Sequence, residues 1–147
     1  MIEIIVSLII LFLFGSKIYQ IITKYRESFK STFNFDAKVV STDSSRKKGL
    51  MHRKKHLNKN EGMLFDFGEP QTISLWMKNT FISLDAIYFN ENGQIMDLNH
   101  NLKPKSIKAV KSNKLCQYVL EVNGNTIKTN NIQIGDYIKI NKIKKLN

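Results

Sequence analysis

Phe33-Asn34-Phe35-Asp36-Ala37-Lys38-Val39 places an apolar side chain at every second position, the period of a strand with one buried face. Outward from it, β signals recur over residues 72–77, 84–89, 94–98, 117–122 and 137–143, all bounded by Gly, Asn, Asp or Pro. Asn92-Gly93 lies between two of these runs and reads as a hairpin turn, since both residues tolerate positive φ. Ile134-Gly135-Asp136-Tyr137 reads as a turn entering the last strand. Helical signal is scarce. Thr42 or Asp43 caps one short helix running to about Met51, weakened by Gly49. No repeat and no Gly/Ser- or Pro-rich linker divides residues 33–145. The expectation is a single, mainly β domain of sandwich type, two packed sheets with one or two short helices.

Ahead of the domain, residues 4–14 are apolar except for Ser7, and Ile18, Tyr19, Ile21 and Ile22 extend the run past Lys17. Together they reach about 20 residues, enough to cross a bilayer core. A cleavable secretory signal is the alternative, but Glu3 stands where a basic leader belongs, and Gly15-Ser16 is the only small pair after the run. Residues 1–24 are therefore expected to be a retained single-pass transmembrane helix, with 25–32 as linker. The cues for orientation conflict. Lys17, Lys24, Arg26 and Lys30 favour a cytoplasmic domain by the positive-inside rule, which long domains can override.

The 147 residues suit one domain plus an appendage, and 42% hydrophobic with 24% charged residues is an ordinary globular composition. A net charge of +11 favours anionic partners, although a composition this rich in Lys, Asn and Ile can instead follow from an adenine–thymine-rich genome. Cys116 is the only cysteine, which excludes an intrachain disulfide and a multi-cysteine metal centre.

Between Arg46 and Asp85 the chain carries Gly49-Leu50-Met51, Arg53, Glu61-Gly62-Met63-Leu64-Phe65, Phe67, Pro70, Trp76-Met77-Lys78-Asn79-Thr80 and Leu84-Asp85. Tyr118-Val119-Leu120-Glu121 and Gly135-Asp136 follow in order. With these motifs the chain, over about residues 35–140, resembles the domain of unknown function 192 family, small and often exported proteins of bacteria and archaea. The resemblance implies a compact β-rich sandwich with one or two short helices and no established reaction. Ser83 departs from it, standing where the family often has a proline, so a less rigid turn is expected. At Asn123-Gly124 the resemblance implies entry into a short helix, where turn chemistry alone reads a hairpin.

Lys78-Asn79-Thr80, three hydrogen-bonding side chains after a strand, suit a loop-fixing network or the rim of a polar pocket, with Asp85 nearby in sequence. Trp76 is the only tryptophan and reads first as a core anchor, second as a ligand platform. Arg53 and Glu61 are candidates for an ion pair pinning a loop. Arg53, Glu61, Trp76, Lys78, Asn79, Thr80 and Asp85 thus form the candidate ligand-binding set.

Glu61, Asp85 and Glu121 are the carboxylates an acid–base mechanism would need to bring together. His52 and His56 have i, i+4 spacing but enclose Arg53-Lys54-Lys55, and Met51, Met63, Met77 and Met96 read as core filling, so no metal or cofactor is expected. Cys116 lacks the neighbours of a nucleophile. Arg46-Lys47-Lys48 and Arg53-Lys54-Lys55 lack interleaved aromatics, so nucleic acid is not an expected partner, whereas anionic lipid remains open. The functional expectation is a membrane-anchored envelope domain that binds a small molecule or envelope polymer. An envelope-polymer hydrolase is the alternative, and a basic domain on anionic lipid or nucleic acid the second.

Overall fold

A computed structural model describes residues 12, 14–21, 24 and 30–145. The chain divides into two compact units, Met1–Lys30 and Ser31–Asn147. In the first, residues 14–21 are helical, with Phe14, Ile18, Tyr19 and Ile21 exposed. Among the described residues no helix is long and apolar enough to cross a membrane. Most of the expected anchor and residues 25–29 of the expected linker lie outside the described residues.

The second unit is mainly β. Its strands are β1 (Thr32–Val40), β2 (Glu61–Gln71), β3 (Ser74–Leu75), β4 (Leu84–Phe89), β5 (Ile95–Leu102), β6 (Val110–Lys111), β7 (Cys116–Asn123) and β8 (Tyr137–Lys145), with short helices α1 (Asp43–Lys48) and α2 (Thr126–Thr129). Six strands form one sheet in the order β5-β4-β7-β2-β1-β8, while β3 and β6 form a two-stranded ribbon. The mainly β domain is as expected, but the two packed sheets of a sandwich are corrected to one six-stranded sheet and a two-stranded ribbon. The large sheet is covered on one face by the ribbon and loops, and on the other by α2 and its flanking turns. Strand β1 runs parallel to both neighbours, β2 and β8, whereas β2–β7, β7–β4 and β4–β5 are antiparallel.

Alternation along the strands sorts side chains between two cores. Phe35 and Ala37 of β1 enter the core shared with Leu64, Ile87, Leu120, Ile127 and Ile138. Val40, Met63, Phe65, Leu84, Tyr88 and Val119 enter the other, capped by Leu50 and Leu57 of the 49–60 loop and by Ile73, Leu75 and Met77. All of β4 is buried, because β5 and β7 flank it and both faces are covered. Each large side chain so enclosed stabilises the fold by about 1.5–3 kcal/mol.

Two connections were expected correctly. Residues 90–94 form the hairpin turn between β4 and β5, with Gly93 at φ +80°. Its carbonyl accepts the Ile138 N–H at 2.8 Å, and a Cβ there would lie 2.6 Å from the Ile138 carbonyl oxygen. Asn123-Gly124 leads into α2, as the resemblance implied. Thr42 caps α1 through a reciprocal box with Ser45, but the helix stops at Lys48 because Gly49 takes a positive φ. Ser83 fixes its turn without a proline ring: its Oγ donates to the Leu102 carbonyl at 3.3 Å, and its own carbonyl accepts the Gly124 N–H at 2.9 Å.

Candidate functional site

Strand β3 extends an alternation that begins at Ile73. Ile73, Leu75 and Met77 are buried, so Ser74, Trp76 and Lys78 stand on the outer face. Trp76 is 45% exposed, which corrects the reading of the indole as a core anchor. Met77 beside it takes the core position. The Lys78 Nζ lies 5.4 Å from the Trp76 ring centroid, over the indole face.

Beside Trp76 runs a half-open groove of about 270 Å³ between α1 and the ends of β2 and β3. Its apolar lining is Phe65, Phe67 and Leu75, and its polar lining comes from Gln71 and Ser74 on one side and Asp43, Arg46 and Lys47 on the other. Arg46 is committed to structure. It donates to the Ser41 and Asp66 carbonyls, pairs with Asp43, and its guanidinium sits 4.8 Å from the Phe67 ring centroid. These bonds dock α1 on β2 and shape one wall of the groove. Among the described residues no ion pair or hydrogen bond engages the Lys47 ammonium, which leaves Lys47 as a cation on this rim that a ligand can recruit.

Lys78-Asn79-Thr80 is held through its backbone. Asn79, at φ +55°, offers its carbonyl to the His52 N–H at 2.7 Å, and the carbonyl of the buried Thr80 accepts the Lys105 N–H at 2.9 Å. The segment is thus laced between the loops around residues 52 and 105. Phe81, with the Lys105 Nζ 5.2 Å from its centroid and the His52 ring 6.4 Å away, makes a second exposed aromatic station.

Asp85 belongs elsewhere. It is fully buried, and its two oxygens accept the Asn101 N–H at 2.7 Å and the Ile127 N–H at 2.8 Å. It anchors the bend at the end of β5 and the first turn of α2. The expected Arg53–Glu61 pair does not form. Arg53 donates to the carbonyls of Lys55 and His56, while Glu61 accepts from the backbone N–H and side-chain amide of Asn58. Each braces the 49–60 loop separately.

Glu121 projects into the core on the face opposite Asp85, between Met63 and Ala86. Burial pushes its carboxyl up to about 8. On the same face Tyr88 has a buried hydroxyl with no partner, and its pKa is raised by burial and then by Glu121. Burial also raises the Cys116 thiol to about 11, which leaves it a poor nucleophile.

The chain matches the DUF192 family, described as an uncharacterized ACR, over residues 25–140. It belongs to that family. Two proteins of known structure are similar to it in sequence and fold. A protein of Sinorhizobium meliloti 1021, described as a candidate transcription regulator, is 36% identical over 69% of this chain and 78% of its own, with a TM-score of 0.66. A protein of unknown function from Novosphingobium aromaticivorans DSM 12444 is 31% identical over 70% of this chain and 73% of its own, with a TM-score of 0.67. No curated protein matches the sequence.

The residues lining the groove, Asp43, Lys47, Phe65, Phe67, Gln71 and Ser74, were not in the candidate set drawn from the sequence. For Trp76 the signal was available. Ile73-Ser74-Leu75-Trp76-Met77 alternates, and the serine marks the outer face.

Proposed function

We propose that this DUF192 domain is a non-catalytic binding module of the cell envelope, and that the groove beside Trp76 takes a glycan-type polymer. One observation carries the reading: a half-exposed indole stands over a groove with an apolar floor and hydrogen-bonding walls. Sugar rings present C–H faces to an aromatic ring and hydroxyls to surrounding polar groups. Trp76 supplies the first kind of contact, and Gln71, Ser74 and Lys47 supply the second. The apolar run of residues 4–14 tethers the domain to the membrane in this reading, with the domain outside the cytoplasm.

The hydrolase alternative has weaker support. A glycoside-cleaving pair needs two carboxyl groups roughly 5–9.5 Å apart around one bond. Asp85 spends both oxygens on backbone N–H groups, Glu121 lies in the core, and Glu61 braces a turn. A nucleic-acid role, which the description of the Sinorhizobium relative brings to mind, also finds little support. Helix α1 has six residues and is docked through Arg46, which is short for a helix that reads a groove.

The test is binding of soluble glycan fragments from bacterial cell walls to the full-length chain and to Trp76→Ala. The proposal expects at least a tenfold loss of affinity with a melting temperature lowered by no more than a few degrees. Equal affinity in the two proteins overturns it.

A further inference from the structure

A second cleft, of about 210 Å³, opens where β1 and β8 meet the turn before β2. The register places Lys38 directly opposite Lys144, and Asp36 opposite Lys142 and Glu61. All five side chains rise on one face of the sheet, because positions 36 and 38 alternate with the buried Phe35 and Ala37. Lys59 reaches the cleft from the turn.

Four ammonium groups therefore surround two carboxylates, and none of the six forms an ion pair with another within 4 Å. Like charges directly opposite each other weaken a strand pair. Lysines on an edge strand commonly guard it against pairing with other chains, which accounts for Lys142 and Lys144. It does not account for Lys38. Strand β1 is interior, flanked by β2 and β8, and Lys38 is nevertheless held half-buried against a second lysine.

We infer that this cleft is a binding site for the phosphate ester of a polyol, with Lys38 and Lys144 clamping the phosphate from adjacent strands. Lys142 and Lys59 add charge at its rim. The carboxylates make a bare anion a poor fit and a hydroxylated ester a good one. The Asp36 N–H donates to the Asn60 carbonyl, but among the described residues no hydrogen bond engages its carboxylate, and Glu61 gives only one of its oxygens to Asn58, so both carboxylates can accept from hydroxyl groups next to the phosphate. Bound anion would also relieve the repulsion built into the β1–β8 pair. The site is separate from the Trp76 groove, with which it shares no lining residue.

Glycerol 3-phosphate is the soluble probe, and vesicles containing phosphatidylglycerol, compared with phosphatidylcholine alone, present the same group as a lipid headgroup. Full-length wild-type chain is compared with Lys38→Gln/Lys144→Gln and with Lys103→Gln/Lys108→Gln, which removes the same charge from an exposed loop elsewhere. The expected result is at least a tenfold loss for the first variant and less than a twofold change for the second. Loss seen with glycerol 3-phosphate indicates a soluble or polymeric ester, and loss seen only with vesicles indicates the headgroup. Equal losses in the two variants, or binding to neither probe, overturn the assignment. Trp76→Ala leaves this binding intact, so failure of the glycan reading and failure of this one are distinguishable.

Discussion

Asp85 on β4 and Glu121 on β7 stand on opposite faces of one sheet, because Asp85 pairs with Val122 while the next residue, Ala86, pairs with Glu121. Two carboxyl groups that the sequence leaves free to converge are thus separated by the backbone itself. Asp85 accepts from two backbone N–H groups, whereas burial alone sets the state of Glu121, and the behaviour expected of the two differs accordingly.

Asp85→Ala removes the acceptor for the Asn101 and Ile127 N–H groups. The buried Ile127 N–H loses its partner at about 1–3 kcal/mol and the part-buried Asn101 N–H at the low end of that range, so a loss of about 2–4 kcal/mol is expected in urea unfolding. Ligand binding by the fraction that remains folded should be unchanged.

Glu121 in the folded chain is raised from the ordinary 4.5 to about 8. Between those values the native state keeps a proton that the unfolded chain has released. Stability should therefore fall as pH rises through that window and level off above it. Glu121→Gln should flatten the profile and raise the melting temperature at the alkaline end. Thermal unfolding across the window checks both expectations, and a wild-type profile that rises with pH would contradict them.

Tyr88→Phe keeps the ring that fills the core and deletes a hydroxyl that has no partner. Replacement should be neutral or stabilise by about 1 kcal/mol, measured as a shift in the urea midpoint. A loss above about 1 kcal/mol would mean that the hydroxyl has a hydrogen bond in solution.

Gly93→Ala forces a Cβ onto a positive-φ position 2.6 Å from the Ile138 carbonyl oxygen. Backbone must move in the β4–β5 turn or in β8, and a loss of at least about 1 kcal/mol is expected. Gly68→Ala is a useful contrast. It carries a similar φ of +79° with open space around it, so it should cost less.

Trp76→Ala and Met77→Ala should separate binding from stability. The exposed indole should cost under about 1 kcal/mol when removed, and the buried thioether about 2–5 kcal/mol. The opposite ranking in thermal unfolding would place the indole in the core after all.

Where one face of a strand is solvated, the sequence was readable: β1, the 90–94 hairpin and the entry to β8 all follow from alternation and turn chemistry. Strand β2 was missed. Met63-Leu64-Phe65 are consecutive and buried on alternate faces, since β1 and β7 flank the strand and both faces carry a core, so no alternation remains to be read. The site was less legible for a related reason. Arg53, Glu61 and Asp85 have the chemistry of a polar site, but their partners are backbone groups supplied by distant turns, such as Ile127 for Asp85. The groove beside Trp76 combines side chains from α1, β2 and β3, and that proximity depends on the docking of Arg46 on the Asp66 carbonyl.

Trp76 is the only tryptophan, so intrinsic fluorescence reports the proposed platform without a label. Titrating the full-length chain with soluble cell-wall glycan fragments should shift the emission to the blue and change its intensity saturably, with the response weakened at least tenfold by Lys47→Gln/Gln71→Ala. An emission spectrum that stays constant while the fragments bind, or no binding at all, would contradict the assignment of the groove as the ligand site.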